Sequence, residues 1–150
     1  MKKIFSFAIA LVACALAFTS CEPKIDSPLV GGWNHGGYYI DAEGNEYNAL
    51  FSFHFFDNGD FQHNISILTG EVAIHDAFVK QGSWSVKDDE VTLHYKKGGK
   101  SHDGQITYDS SFKPYDEVAK WRIEGHYLYL TRFIGTEDEI VEEFYDGSGN

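Results

Sequence analysis

The chain has 150 residues, with 12 Lys and Arg against 23 Asp and Glu, and a formal net charge of −11. Proteins bind nucleic acids through basic side chains that neutralise phosphates, so this charge balance argues against a nucleic-acid partner. Anionic lipid head groups would also repel so acidic a chain, and no membrane contact through a basic face is expected. The length suits one domain, and an aromatic content of 16% supplies enough large side chains for one core.

The N-terminal segment has the pattern of an export signal. Lys2 and Lys3 precede an apolar run over residues 4–18, and small polar residues lead to Cys21. Such a pattern is typical of a secretory signal peptide, here residues 1–20. A cysteine directly after the cleavage site resembles the lipobox of bacterial lipoproteins, which implies that Cys21 carries a lipid. The apolar run is shorter than the ~20 residues of a spanning helix. We therefore predict an outer-membrane lipoprotein of the bacterial cell envelope, attached to the membrane by its N-terminal lipid anchor.

A second cysteine competes for the lipid. The sequence before Cys14, Leu11-Val12-Ala13, fits the lipobox pattern better than the sequence before Cys21. Cleavage before Cys14, however, would leave the apolar residues 15–18 at the new terminus, whereas Cys21 is followed at once by the polar residues 22–28. We therefore favour Cys21. The mature chain would then have 10 basic against 23 acidic residues, a net charge of −13, and no free cysteine.

The remainder of the chain is predicted to be all-β. Short alternating runs are separated by Gly, Asn and Asp at fairly regular intervals, which is typical of antiparallel barrels and sandwiches. We predict a lipidated tether at 21–30, a small up-and-down β-barrel domain at 31–146 and a C-terminal tail at 147–150. An open two-sheet β-sandwich is the alternative fold. Eight strands are predicted, at 32–41, 46–56, 60–68, 77–86, 90–95, 118–124, 127–132 and 139–145.

Turn chemistry fixes the register of the predicted hairpins. A three-residue loop at 57–59, with Gly59 in the left-handed conformation, pairs Phe53 with His63 and places the odd-numbered residues of 51–67 on one apolar face. A two-residue loop would shift the pairing by one and mix the faces, which a one-sided sheet does not tolerate. A similar loop at 42–44 pairs Trp33 with Phe53.

Two further hairpins show the same one-sided pattern. Around the turn at 87–90, Trp84 is expected opposite Leu93, and around Gly125-His126, Trp121 is expected opposite Leu130. Four hairpins with one apolar face each indicate a sheet that closes on itself, because closure removes exposed edges.

Several short motifs resemble those of the lipocalin and calycin barrels. Gly31-Gly32-Trp33 matches their Gly-x-Trp motif, and Tyr129-Leu130-Thr131-Arg132 is similar to the late strand that carries their closing arginine. The resemblance spans about residues 29–146 and implies that Arg132 packs across Trp33 and closes one barrel end. The predicted register places Arg132 on the inward face beside Trp121.

Catalytic and metal-binding patterns are weak. The sequence contains no Gly-x-Ser-x-Gly and no His-Glu-x-x-His, and Gly98-Gly99-Lys100-Ser101 lacks the context of a phosphate-binding loop. Only His35 and His63 are expected to point inward, on strands that are not neighbours. The acidic residues between 137 and 146 are predicted to form a solvated edge. We therefore predict no enzyme activity, no cofactor and no metal.

Two functions remain open at this point. The barrel could bind a small apolar or amphipathic ligand, or it could be a structural or interaction module with a filled core that contacts a protein or glycan. The segment 96–117 is predicted either to fold as a loop over one barrel end or to be disordered, with a ninth, irregular strand at 106–108 as an alternative, and the protein is expected to be a monomer. The candidate ligand-lining residues are Tyr39, Phe51, Phe53, His63, Trp84, Tyr95 and Trp121.

Overall fold

The computed structural model describes residues 24–69, 73–102 and 104–147. The predicted signal peptide, Cys21 and the last residues of the predicted tail lie outside these ranges. In the described part, no helix is long and apolar enough to cross a membrane. The described strands are β1 (Gly31–Ile40), β2 (Glu46–Phe55), β3 (Asp60–Thr69), β4 (Ala73–Lys87), β5 (Glu90–His102), β6 (Gln105–Tyr108), β7 (Tyr115–Glu124), β8 (Tyr127–Arg132) and β9 (Ile140–Asp146).

The strands form one antiparallel sheet that closes into a barrel. The hydrogen-bonded order is β4-β3-β2-β1-β9-β8-β7-β5-β6, and pairing of β4 with β5 closes the ring. Eight strands make the barrel, and β6 pairs only with the last four residues of β5. The predicted all-β, up-and-down barrel is therefore confirmed. We call the end with the β2–β3, β4–β5 and β7–β8 turns the lower end and the opposite end the upper end.

The predicted hairpin registers are confirmed. Phe53 lies opposite both Trp33 and His63, and the glycines of the two three-residue loops, Gly44 and Gly59, have φ values of +85° and +88°. The other two hairpins also match the prediction, with Trp84 opposite Leu93 and Trp121 opposite Leu130.

The segment predicted as a long loop is mostly strand, so that prediction is wrong. β5 continues to His102, then turns back as β6, and residues 106–108 are indeed a ninth strand. The register of β4 and β5 shifts at Gln81/Gly82, opposite Lys96, so one extra β5 residue is accommodated there. Gly82 permits the close approach of the two strands, because a Cβ at this position would lie 1.8 Å from the His94 carbonyl oxygen. Beyond Tyr95, where its pairing with β7 ends, β5 continues between β4 and β6, and we call this part of the sheet the extension of the barrel.

The lower end is closed by the segment that precedes β1. Leu29 is fully buried in the core, and its carbonyl oxygen accepts a hydrogen bond from Trp33 Nε1 at 2.9 Å. Ile25 packs against the same core, and its backbone N–H donates to the Asp57 carbonyl at 2.7 Å. Residues 24–30 are therefore part of the domain and not the predicted tether, because their apolar side chains fill the barrel end.

Candidate functional site

The barrel axis is filled by aromatic side chains. Five aromatic side chains of the core are each at most 2% exposed, namely Phe53, Phe55, Phe61, Tyr95 and Phe144. Their rings are in contact, and Phe53 lies 5.4 Å from Phe144 and 5.8 Å from Phe55 between centroids. Eight-stranded barrels are just wide enough for side chains to fill, and these rings do so.

Six of the seven predicted ligand-lining residues belong to this core or pack against it, and the seventh, Tyr39, contacts Phe78. Phe53, His63, Trp84 and Tyr95 are buried, and Tyr39, Phe51 and Trp121 are half-buried. Their partners are other core groups: Trp84 Nε1, for example, donates to the Phe56 carbonyl at 2.9 Å. Trp121 Nε1 has no hydrogen-bond partner within the described residues. None of the seven lines the two surface depressions described below.

Arg132 is held inside the upper half of the barrel by two carboxylates. Its Nε and Nη2 donate to the two oxygens of Glu117 at 2.5 and 2.9 Å, and its Nη1 donates to Glu142 at 3.0 Å. The Arg132 and Glu117 side chains are only 12% and 9% exposed. Burial alone would lower the pKa of the guanidinium, but the hydrogen bonds and charge of Glu117, with Glu142, raise its pKa overall.

The predicted contact between Trp33 and Arg132 does not form. Trp33 lies opposite Asp146 on β9, whereas Arg132 lies opposite Ile140 at the other end of the same strand. These two positions on β9 are six residues apart, which corresponds to about 20 Å along an extended strand. The guanidinium instead lies over the rings of Phe53 and Phe133, 5.7 and 5.1 Å from their centroids. Trp33 closes the lower end with Leu29, and Arg132 stabilises the upper half through its carboxylates.

His63 and Tyr95 form a buried polar pair beside this cluster. His63 Nδ1 lies 3.4 Å from the Tyr95 hydroxyl, and the His63 ring stacks on Phe53 at 4.1 Å between centroids. Burial, with the nearby positive charges of Arg132 and Lys80, lowers the pKa of His63 to about 3. The imidazole is therefore neutral at ordinary pH and acts as a core ring with one polar contact.

The candidate site lies outside the filled axis, on the extension of the barrel. A groove of about 590 Å³ lies between β4, β5, β6 and the turn that follows, and we call it the β4–β6 groove. Its volume is within the ~300–1,000 Å³ range of known ligand sites. The lining consists of residues 78–80, 98–100, 107–109 and Phe112.

Two glycines of β5 let Phe112 and β6 pack closely against β5 at the wall of this groove. A Cβ on Gly98 would lie 2.8 Å from the Phe112 ring, and a Cβ on Gly99 would lie 2.2 Å from the Thr107 carbonyl oxygen. Any larger residue at these positions would push Phe112 or β6 away from β5. The Gly98-Gly99 pair, which lies in the segment predicted to be a loop, therefore belongs to a strand and shapes the groove wall.

Aromatic rings and two lysines surround the groove opening. The Phe78 ring lies 5.3 Å from that of Tyr39, and Phe112 lies 6.1 Å from Tyr115, between centroids. Lys80 Nζ donates to the Tyr115 hydroxyl at 3.0 Å, and Lys100 Nζ lies 5.5 Å from the Phe78 centroid. The groove thus combines apolar walls with positive charge, which suits an amphipathic molecule.

A second depression has a different character. Its volume is about 460 Å³, and it lies near the β-bulge, where Lys96 and Lys97 meet Gln62, Gln81 and Phe56. Gln81 Nε2 donates to Gln62 Oε1 at 2.8 Å, and the Tyr108 hydroxyl donates to Gln81 Oε1 at 2.8 Å. These amide groups already hydrogen-bond one another, so the β4–β6 groove is the stronger candidate.

The sequence did not indicate the residues that matter most in the upper half. Glu142 was predicted to lie on a solvated edge, but its side chain is 21% exposed and binds Arg132, so that prediction is wrong for this residue. The alternation of inward and outward residues along a strand would have indicated these positions. Glu117 is two residues from Ala119 and four from Trp121, so it faces inward as they do. Phe78 and Lys80 likewise share the parity of Trp84.

No group of three or more His, Cys, Asp or Glu side chains is placed to hold a metal ion among the described residues.

Comparison with protein-family models and with curated proteins gives no match. The lipocalin-like family therefore stays a prediction that rests on Gly31-Gly32-Trp33 and the late-strand motif around Arg132.

Proposed function

We propose that this protein is a lipid-anchored lipoprotein of the bacterial outer membrane whose barrel domain binds a small apolar or amphipathic ligand. The anchor is inferred from residues 1–21 of the sequence. The ligand site is the β4–β6 groove. Binding in the barrel axis, as first expected from the sequence, would require displacement of tightly packed rings such as Phe53 and Tyr95.

One observation carries the proposal. The β4–β6 groove is an open space of about 590 Å³ in a small domain whose core is otherwise filled, and Phe78 and Phe112 line it. Apolar walls with a few convergent polar groups are the general pattern of small-molecule sites. The proposal is binding and not catalysis.

The experiment is a titration with phenylnaphthylamine, an uncharged dye that fluoresces when it enters an apolar site. Thr107 lines the groove and is exposed, so Thr107→Trp should fill the space without damage to the core. We expect this variant to weaken dye binding by at least about tenfold. Gln105→Trp is the matched control, because Gln105 is an exposed residue of the same strand that does not line the groove.

Dye binding that is equally strong in Thr107→Trp and wild type would contradict the groove assignment. Absence of dye binding in a folded wild-type domain would instead favour the second candidate, an interaction module. Exposed apolar side chains support that candidate, above all Tyr38 and Ile40 on β1 and Val141 on β9, which are 65%, 62% and 58% exposed. They lie at the ends of β1 and β9 that are remote from the two residue pairs joining these strands.

A further inference from the structure

We propose that the ligand of the β4–β6 groove is an amphiphile with a carboxylate head group, which Lys80 and Lys100 recognise. The inference rests on the proposed binding function and specifies that the ligand carries a negative charge. Two positive groups in the wall of an apolar groove are unexpected in a chain of net charge −11.

Lys80 is held in place by aromatic rings. Its Nζ lies 5.5 Å from the centroids of both Tyr95 and Tyr115, whose own rings stack at 4.5 Å. The ammonium also donates to the Tyr115 hydroxyl at 3.0 Å. These contacts restrain the ammonium group, and a restrained charge loses less side-chain entropy when a ligand binds.

Lys100 lies directly opposite Phe78 in the β4–β5 ladder, on the same face of the sheet. Within the described residues, neither Lys100 nor Lys80 forms an ion pair with a carboxylate. Four other cations of the described residues form ion pairs with carboxylates, in the pairs Lys24–Asp57, Lys120–Asp89, Arg122–Glu124 and Arg132–Glu117. Unlike those four, the two groove lysines are not neutralised by a carboxylate of the described residues, and they line an apolar groove that an external anion can enter.

The groove lining also contains one carboxylate, that of Asp109. Its Oδ1 accepts hydrogen bonds from Ser111 N at 2.8 Å and Ser111 Oγ at 2.6 Å. These bonds lower the pKa of Asp109, which keeps it ionised. Its charge is thus engaged within the turn that follows β6, and the lining retains an excess of positive charge.

The chemistry of the groove favours a carboxylate over a phosphate. Phosphate sites commonly use planar arginine forks or the backbone N–H groups of a helix N-terminus. The positive charge of the groove comes from two lysine ammonium groups, which act as point charges and lack the planar fork that arginine presents to a phosphate. Phe78, Phe112 and the methylene stems of the lysines would cover the apolar tail.

The experiment compares three ligands of equal chain length by calorimetry at neutral pH: decanoate, decanol and decylammonium, each as monomers in solution. We expect decanoate to bind at least about tenfold more tightly than decanol, and decylammonium to bind most weakly. Lys80→Gln and Lys100→Gln should each weaken decanoate binding by about three- to tenfold and leave decanol binding unchanged.

Lys97→Gln is the matched control. Lys97 is also a β5 lysine next to an aromatic ring, with Nζ 4.5 Å from the Tyr108 centroid, but it does not line the β4–β6 groove. Equal affinities of decanoate and decanol, an equal effect of Lys97→Gln, or tighter binding of decyl phosphate would each overturn the carboxylate assignment while leaving ligand binding intact. Failure of all three ligands and of the uncharged dye would overturn the binding function itself.

Discussion

Arg132 and Glu117 form a two-point ion pair inside the barrel, with the guanidinium Nε and Nη2 at 2.5 and 2.9 Å from the two carboxylate oxygens. The pair joins the last residue of β8 to β7, and the hydrogen bond from Arg132 to Glu142 connects both strands to β9. Buried charges of this kind depend on one another, because each would be costly without its partner. The upper half of the barrel is therefore held together by charge as well as by apolar packing.

Arg132→Ala should lower the free energy of unfolding by about 3–5 kcal/mol, because it leaves two buried carboxylates without a partner. Urea unfolding at neutral pH measures the change. Arg122→Ala is the control: Arg122 is exposed and pairs with the exposed Glu124, so its loss should cost less than about 1 kcal/mol. Equal costs for the two variants would contradict a buried, interdependent cluster.

Simultaneous replacement of the cluster should have the opposite result. A triple variant with Arg132→Met, Glu117→Leu and Glu142→Leu removes all three charges and keeps similar volumes. Such replacements are often neutral or stabilising by about 1–4 kcal/mol. We expect the triple variant to be more stable than Arg132→Ala in the same urea experiment, and a triple variant less stable than the single one would show that the side chains act mainly through shape.

His63 should make the domain less stable at acidic pH. Its pKa is about 3 in the folded state, against an ordinary value of 6.5, so between these values only the unfolded chain takes up the proton. Stability is therefore lost as pH falls below 6.5, by at most about 1.4 kcal/mol per pH unit. His63→Phe removes this contribution, so the stability of the variant relative to wild type should rise as pH falls from about 6.5 to about 4.5.

The control for this pH dependence is His54→Phe. His54 is exposed on the outer face of β2, so this variant makes the same replacement of a histidine by a phenylalanine outside the core. Parallel pH profiles for wild type and His63→Phe would mean that His63 is not kept neutral by burial.

The hairpin register makes a separate prediction. One residue inserted between Asn58 and Gly59 should prevent stable folding, because it turns the inward Phe face of β2 or β3 outward. An insertion in the exposed β8–β9 connection, between Thr136 and Glu137, should be tolerated because extra loop length costs little. Circular dichroism and thermal unfolding would show the difference, and equal damage at both places would contradict the register argument.

The sequence predicts the barrel well where turn chemistry is strong. Gly59 and the alternating Phe residues determine one register, and the structure has that register. The extension was missed for a physical reason. Beyond Tyr95 the β-bulge and the Gly98-Gly99 pair interrupt the alternation of apolar and polar residues, so the strand has no visible period there.

The candidate site was harder to predict than the fold. Large aromatic residues at inward positions were expected to line a cavity, yet Phe53 and Tyr95 pack against their neighbours and fill the axis. Whether inward rings fill or line a barrel depends on their exact packing, which residue type does not determine. Position along the chain likewise did not reveal that Arg132 on β8 and Trp33 on β1 lie beside opposite ends of β9.

The proposed anchor is tested by membrane fractionation of the producing bacterium. Cys21→Ser should move the protein from the membrane fraction to the soluble fraction, because no lipid can then be attached, whereas Cys14→Ser should leave it in the membrane. Mass spectrometry of the mature N-terminus would identify the modified residue. Lipid found on Cys14 would contradict the assignment to Cys21.

The central claim is that ligand binds in the β4–β6 groove and not in the barrel axis. Amide chemical shifts recorded during a titration with decanoate test it most directly, because they report on every strand at once. We predict shift changes concentrated at residues 78–80, 98–100, 107–109 and Phe112, with the lower core around Trp84 and Phe55 unaffected. Changes centred on Phe53, Phe55 and Trp84, with the groove residues unmoved, would contradict this account.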